Sequence, residues 1–404
     1  MSQSENLVEV SLHGMAHGGE AVGRLDDGRA VFVAGGIPGE KVRIRLLNER
    51  KRWARGELVE VLEKSEDRVE APCPYFGECG GCQWQHISLA RQRVLKREIV
   101  EGQIEHLGGM ESASVEETRA SGEADGFGYR NHAIFAVDAE GHTAYHRARS
   151  RELVAIDRCL LLHPLLRESH EALPPLPGLR RLELRAGVRT GQRLIMATGE
   201  VDPAPVEEAA ARGVPLRGPG QGEITEMVHT ERYRISSKSF FQVNTDGAEV
   251  LVDLIMEMLD PSAEDQVLDA YAGVGLFTLP LARKSARVYA VERNRAALRD
   301  LRHLVKGLPV HIVGVDITRA AEQLPSAVDL AVADPPREGL GEENVVKLAA
   351  MRPRRLALVS CDPASLARDL KSLRAAGYIL KRAVPVDLFP HTYHVETVAL
   401  LERA

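Results

Sequence analysis

The sequence predicts three parts in order: a small β-barrel over residues 1–63, an α+β region over 64–235, and a doubly wound α/β domain over 236–404. Three observations predict this. The N-terminal part alternates short β-like runs with Gly-Gly and Asp-Gly turns, and a cysteine cluster opens the middle part. From about residue 236, strand-like and helix-like segments then alternate strictly. The 404 residues suffice for two or three domains at ~150 residues each. An apolar fraction of 44% and a charged fraction of 27% belong to an ordinary globular chain, not a disordered or fibrous one.

In the first part the β-like runs are residues 7–12, 22–25, 30–34, 41–46 and 57–62, separated by Gly18-Gly19 and Asp27-Gly28. Short strands with such turns predict a barrel or small sandwich. Lys41, Arg43, Arg45, Arg50, Lys51, Arg52 and Arg55 crowd one stretch around Trp53. A solvated strand face is one reading. A basic stripe beside an aromatic, suited to phosphate contact and base stacking on RNA, is the other. Over the whole chain 52 basic residues face 58 acidic ones, a formal charge of −6 that excludes a globally basic coat but not a local patch.

The middle part opens with Cys73, Cys79 and Cys82 in a C-x5-C-x2-C run, and Cys159 lies far downstream. Five cysteines in all are too few and too scattered for a disulfide scaffold; clustered thiols in a reducing compartment point to metal or catalysis. Four thiolates suit tetrahedral zinc or an iron–sulfur cluster, and spacing leaves both open. His86 and His163 read as ordinary polar residues. A helix is predicted over 88–106 behind a Ser88 cap, then a polar loop over 108–126. Strand-like runs follow at 131–137, 182–184 and 193–198.

The last part gives strands at 266–270, 287–291, 310–315, 330–333, 355–359 and 395–400, with helices at 246–259, 276–282, 296–306, 342–351 and 364–375. Such alternation predicts a parallel sheet whose ligand sits at the carboxyl ends of its strands. The first strand runs into Tyr271-Ala-Gly273-Val-Gly275, a turn that lets backbone approach a ligand. The second ends in Glu292, placed to accept both hydroxyls of a ribose. Phe277 and Thr278 stand where a dinucleotide fingerprint would carry its third glycine, so S-adenosylmethionine fits better than a nicotinamide dinucleotide. Asp316, after the third strand, is placed to accept an adenine amino group. Asp334 precedes Pro335-Pro336, which stiffen its loop. Cys361 ends the fifth strand before a helix N-terminus, whose dipole favours a thiolate. Glu396 opens an apolar strand, a costly place for a carboxylate without a task.

Four segments, Phe240-Phe-Gln-Val-Asn244, Asp334-Pro-Pro-Arg-Glu-Gly339, Ser360-Cys-Asp-Pro363 and Phe389-Pro-His-Thr-Tyr-His-Val-Glu396, together resemble the uracil-C5 RNA methyltransferases. The resemblance spans nearly the whole chain. It implies a TRAM/OB-like barrel for RNA binding, a central iron–sulfur domain and a Rossmann-like class I methyltransferase domain making 5-methyluridine. It implies Cys361 as nucleophile and Glu396 as proton acceptor. Gln242, Tyr271, Gly273, Glu292, Asp316 and Asp334 fall on the S-adenosylmethionine site. Leu276 departs from the asparagine that many relatives carry. The cysteine pattern of Cys73, Cys79, Cys82 and Cys159 matches relatives with a 4Fe-4S cluster, which tips the choice away from zinc. Barrel and cluster together favour ribosomal RNA over transfer RNA.

Two rival classes fit the residues less well. Methylation of a nitrogen needs no thiol, which Cys361 and Glu396 argue against; a non-catalytic RNA-binding protein would not need both together with the donor residues. No apolar run is long enough for a membrane span, and Met1–Glu9 lacks a secretory pattern. A cytoplasmic enzyme with no obligate protein partner is expected, its barrel adding RNA affinity without touching the chemistry.

Overall fold

The computed structural model describes residues 7–111 and 113–404. Residues 1–6, which carry much of the expectation about the N-terminal segment, lie outside the described residues. Among those described, no helix is long and apolar enough to cross a membrane.

Five strands, β1 (Leu7–Met15), β2 (Ala21–Arg24), β3 (Ala30–Val33), β4 (Lys41–Glu49) and β5 (Trp53–Glu63), close into a barrel of order β1-β2-β3-β5-β4. Alternation explains it: Val10, Leu12, Val31, Val33, Val42 and Ile44 point inward and are buried. The intervening positions face water. There Lys41 and Arg43 meet Glu9 at 3.1 and 3.0 Å, and Arg45 meets Glu57 at 2.7 Å. This half of the basic stripe is therefore a ladder of cross-strand ion pairs. Arg50, Lys51 and Arg52 stand exposed at the β4–β5 hairpin, and Arg55 lies over the Trp53 ring at 5.2 Å.

Helix α1 (Leu89–His106) begins where expected, with the Ser88 hydroxyl accepting from the Arg91 N–H. The middle part then leaves β6 (Arg119–Ala120) at the edge of the large sheet described below. It builds a six-stranded sheet from β7 (His132–Val137), β8 (Thr143–His146), β9 (Leu153–Ala155), β10 (Leu179–Gly187), β11 (Gln192–Gly199) and β12 (Leu216–Arg217), in the order β12-β11-β10-β7-β8-β9. Helices α2 (Pro164–Glu171) and α3 (Pro203–Ala211) accompany it. His163 caps α2, its Nδ1 accepting from the Leu165 N–H. A hairpin not expected from the sequence, β13 (Glu223–Val228) and β14 (Glu231–Ser236), leads into α4 (Thr245–Leu259).

The large sheet contains β15 (Gln266–Ala270), β16 (Arg287–Val291), β17 (Val310–Val313), β18 (Leu330–Ala333), β19 (Arg355–Ser360), β20 (Tyr378–Asp387) and β21 (Glu396–Arg403), in the order β17-β16-β15-β18-β19-β21-β20-β6. Between them run α5 (Thr278–Lys284), α6 (Arg295–Leu304), α7 (Ile317–Ala320), α8 (Gly341–Ala350) and α9 (Pro363–Ala375). The first five strands pair in parallel. The expectation of a parallel sheet needs correction at one edge, because β21 runs antiparallel to both β19 and β20. Strand β20 escaped notice because Lys381, Arg382 and Pro385 interrupt its apolar run.

Both faces of the sheet are covered, and the period-2 pattern divides them. Val267, Leu330 and Val332 pack with α4 and α5, whereas Leu268, Ala331 and Ala333 pack with α8 and α9. Val100 and Ile104 of α1 join the second cluster, so a helix of the middle part is built onto the C-terminal sheet. The barrel is seated too. Arg68 donates to Glu40 at 2.6 Å, and Ile37 packs with Trp84, Ile87, Leu95 and Ile99.

Candidate active site

The carboxyl ends of the parallel strands open onto a cavity of about 570 Å³, and all eight residues assigned to donor binding or chemistry line it. After β15 the chain turns sharply: Tyr271 has φ 67° and Gly273 φ 56°, a left-handed pair that presents backbone to the cavity. Glu292, at the end of β16, accepts from the Gly273 N–H at 2.9 Å and the Asn294 N–H at 2.5 Å. Its carboxylate thus ties the first two strand ends together. Asp316, beyond β17, accepts from the Thr318 N–H and hydroxyl at 3.2 and 3.1 Å, and these bonds hold it below the usual carboxylate range. Gln242 and Phe241 lie buried on another wall. Leu276 contributes an apolar side chain there, with no polar contact of its own.

The chemical end of the cavity gathers two carboxyl groups and a thiol. Asp334 is pushed up to about 7 by burial. Glu396 is only 3% exposed, its Oε1 lacks a hydrogen-bond partner among the described residues, and burial together with Asp334 raises it well above the ordinary range. Cys361 shares this cavity with both. Burial first, then Glu396 and Asp334, push its thiol up to about 12, while Arg337 pulls the other way. Desolvation and the two carboxyl groups therefore oppose the helix N-terminus, whose dipole favours the thiolate.

Several contributors were not read from the sequence. Phe240, 66% exposed, stands at the mouth of the cavity as a stacking surface. Asp269, buried beneath the glycine turn, accepts from the Thr278 hydroxyl at 2.5 Å and is raised to about 7 by burial. The loop between β20 and β21, which delivers Glu396, is gripped by α1. Lys96, fully buried, donates to Asp387 Oδ1 at 2.5 Å and to the Phe389 carbonyl at 3.0 Å. Gln92 accepts from the His391 N–H at 2.8 Å, and His391 holds φ 65°. The readable signal was two polar residues, Gln92 and Lys96, on the α1 face that also buries Leu95, Ile99 and Val100.

The barrel does touch this site, contrary to expectation. His17 Nε2 lies 3.1 Å from Asp362 Oδ2, one residue beyond Cys361.

The four other cysteines come together elsewhere. Cys73, Cys79, Cys82 and Cys159 line one small cavity with Tyr145 and a half-buried Arg130. Among the described residues no group of three or more His, Cys, Asp or Glu side chains is gathered closely enough to hold a single metal ion. Burial raises Cys79, Cys82 and Cys159, with Cys82 at about 12.

Comparison with known proteins bears on the whole chain. The family model described as tRNA (Uracil-5-)-methyltransferase matches residues 224–328 and 326–404, and the TRAM domain model matches 5–59. A protein of Gloeobacter violaceus described as an uncharacterized RNA methyltransferase is 36% identical, over 98% of this chain and 96% of its own. One of Streptomyces coelicolor, described alike, is 36% identical over 98% and 93%. The crystal structure of Pyrococcus abyssi tRNA (uracil-54, C5)-methyltransferase in complex with S-adenosyl-L-homocysteine superposes with a TM-score of 0.75 at 24% identity, covering 97% of this chain and 99% of that one. That likeness extends the shared fold to the full length.

Proposed function

Since this chain belongs to the TRAM-containing RNA (uracil-5-)-methyltransferase family, we propose that it transfers a methyl group from S-adenosylmethionine to C5 of a uridine in RNA through a covalent adduct on Cys361. The observation that carries this reading is the meeting of one thiol and one buried carboxyl group, Cys361 and Glu396, whose Oε1 has no hydrogen-bond partner among the described residues, in a single cavity beside the glycine turn. In it, Glu292 accepts from the donor's ribose, Asp316 from its adenine, and Gln242, Tyr271, Gly273 and Asp334 complete the donor site.

Uracil C5 is a poor nucleophile until a thiolate adds to C6. The Cys361 sulfur forms the S–C6 bond, its proton having left to solvent, and the resulting enolate attacks the donor methyl through C5. S-adenosylhomocysteine departs. C5 then carries a methyl and a proton; Glu396 removes the proton, the S–C6 bond breaks, and 5-methyluridine is released. The raised thiol and carboxylate fit this sequence, because an arriving sulfonium cation lowers both.

The RNA reaches this cavity past Phe240, and the exposed Arg50, Lys51 and Arg52 supply phosphate contacts at the barrel tip. Ribosomal RNA is the proposed target, on the strength of the barrel and the cysteine cavity. Transfer RNA is the second reading, favoured by the family model's own description. Mapping 5-methyluridine in total RNA from cells lacking this protein separates them. Loss from large-subunit ribosomal RNA is expected; loss from transfer RNA alone contradicts the first reading.

A 4Fe-4S cluster would be held by Cys73, Cys79, Cys82 and Cys159. Four soft thiol ligands around one cavity, with the Arg130 cation to offset their charge, fit that group. Bound there, a cluster supplies cross-linking and charge; it takes no part in methyl transfer. Anaerobically purified protein should be brown and carry about four irons per chain. Cys159→Ala should lose them, and Cys361→Ala should keep them. Colourless protein with stoichiometric zinc contradicts the assignment.

A further inference from the structure

Resting on the reading of Cys361 as nucleophile, we propose that His17 of the barrel is a positioning residue for that cysteine, acting through Asp362. The barrel thereby completes the active site as well as binding RNA.

His17 lies in the β1–β2 connection, and its Nε2 meets Asp362 Oδ2 at 3.1 Å across 345 residues of chain. A carboxylate only accepts, so Nε2 is the donor whatever the charge on the ring. The other oxygen, Oδ1, accepts from the Ser365 N–H at 2.8 Å and the Ser365 hydroxyl at 3.0 Å, capping α9. Asp362 is thus fixed from both sides, one oxygen by its own helix and one by the barrel. Cys361 is the residue before it. Fixing the cap fixes the backbone that aims the sulfur.

The same contact governs a competitor. Arg337 Nε lies 3.8 Å from Asp362 Oδ2, and Arg337 also lines the cavity, where its charge favours the thiolate. With His17 on that oxygen, the Arg337 guanidinium stands off at 3.8 Å while lining the cavity. Without His17, the guanidinium is free to close onto Asp362 and withdraw its charge from the sulfur.

The connection itself is held rigidly by the rest of the molecule. Trp84 Nε1 donates to the Gly19 carbonyl at 3.1 Å. Gly19 has φ +85°, and a Cβ there would lie 2.9 Å from the Tyr393 side chain, in the loop that delivers Glu396. The His17 ring meets Tyr393 edge-on at 6.4 Å. Glu20, next in sequence, accepts from Arg149 at 2.8 Å. A loop pinned to all three parts of the chain can set an atom's position.

The test compares His17→Ala and His17→Gln in the full-length protein; Gln keeps a donor at similar reach. Three quantities are read: single-turnover methyl transfer with RNA and donor saturating, RNA and donor dissociation constants, and the rate at which iodoacetamide alkylates Cys361 without RNA. His17→Ala should lose about ten- to a hundredfold in turnover, as misplacement of a reacting group does. Its dissociation constants should stay within about twofold, a loss confined to the transition state. Alkylation should slow as well, and Gln should restore most of both rates. The proposal is overturned if turnover is unchanged, if the loss lies wholly in RNA affinity, or if Ala and Gln fail alike with a lowered melting temperature. Should the unaltered protein methylate no uridine, the functional reading fails instead, and the alkylation comparison still decides on His17: equal rates in parent and His17→Ala overturn its role.

Discussion

Cys361→Ala should form no covalent RNA adduct and transfer no methyl group, whereas Glu396→Gln should transfer one methyl and then stall as a methylated protein–RNA adduct. The two variants fail differently because they remove different halves of one sequence. Without the thiol, C6 is never attacked and C5 stays inert. Without the carboxylate, addition and transfer proceed, but the C5 proton has no acceptor and the S–C6 bond cannot break. Gln is nearly isosteric with the neutral Glu396 that burial favours, so the strand start and its pairing with Val386 should survive. The loss in turnover for Glu396→Gln should be about 10²- to 10⁴-fold, the contribution of a positioned base. A denaturing gel of protein mixed with donor and RNA reads both outcomes. A slow-migrating band in Cys361→Ala, or normal turnover by Glu396→Gln, contradicts the assignment.

The largest effect on stability should come from Lys96→Ala. Its ammonium and the Asp387 carboxylate are both fully buried, and Arg93, at 3.6 Å, is the only further cation within ion-pair distance of Asp387 among the described residues. Removing the lysine strands a buried charge, at a cost of about 3–5 kcal/mol, visible as a lowered urea midpoint. It also frees the Phe389 carbonyl at the start of the Glu396 loop. Replacing both partners, as in Lys96→Met with Asp387→Leu, should recover most of the stability, since a buried pair is often matched by apolar packing. A midpoint unchanged in Lys96→Ala would show that the pair does not hold the loop.

Much of this site was legible because chemistry and fold speak at the same places. Strand ends in an alternating α/β pattern announce where ligands sit, and Glu292 and Asp334 stand one step, Cys361 two steps, beyond an apolar run. Glu396 was legible for the opposite reason, as a carboxylate that an apolar strand would not otherwise tolerate. What stayed hidden depends on distance in sequence. Nothing near His17 announces Asp362, and nothing in β20 outweighs Lys381, Arg382 and Pro385 until its neighbours are known. The ion pairs of Lys41, Arg43 and Arg45 stayed hidden because their partners, Glu9 and Glu57, sit on neighbouring strands. The upward push on the Cys361 thiol was hidden likewise, since a helix N-terminus is visible in sequence and the desolvating walls of a cavity are not.

The central claim is that methylation occurs at uridine C5, which must lose its hydrogen. The most direct measurement is donor-dependent release of tritium from RNA carrying 5-tritiated uridine, counted beside methyl incorporation from labelled S-adenosylmethionine. One tritium released to water for each methyl incorporated is the predicted result. Methyl incorporation with the tritium retained would contradict the account.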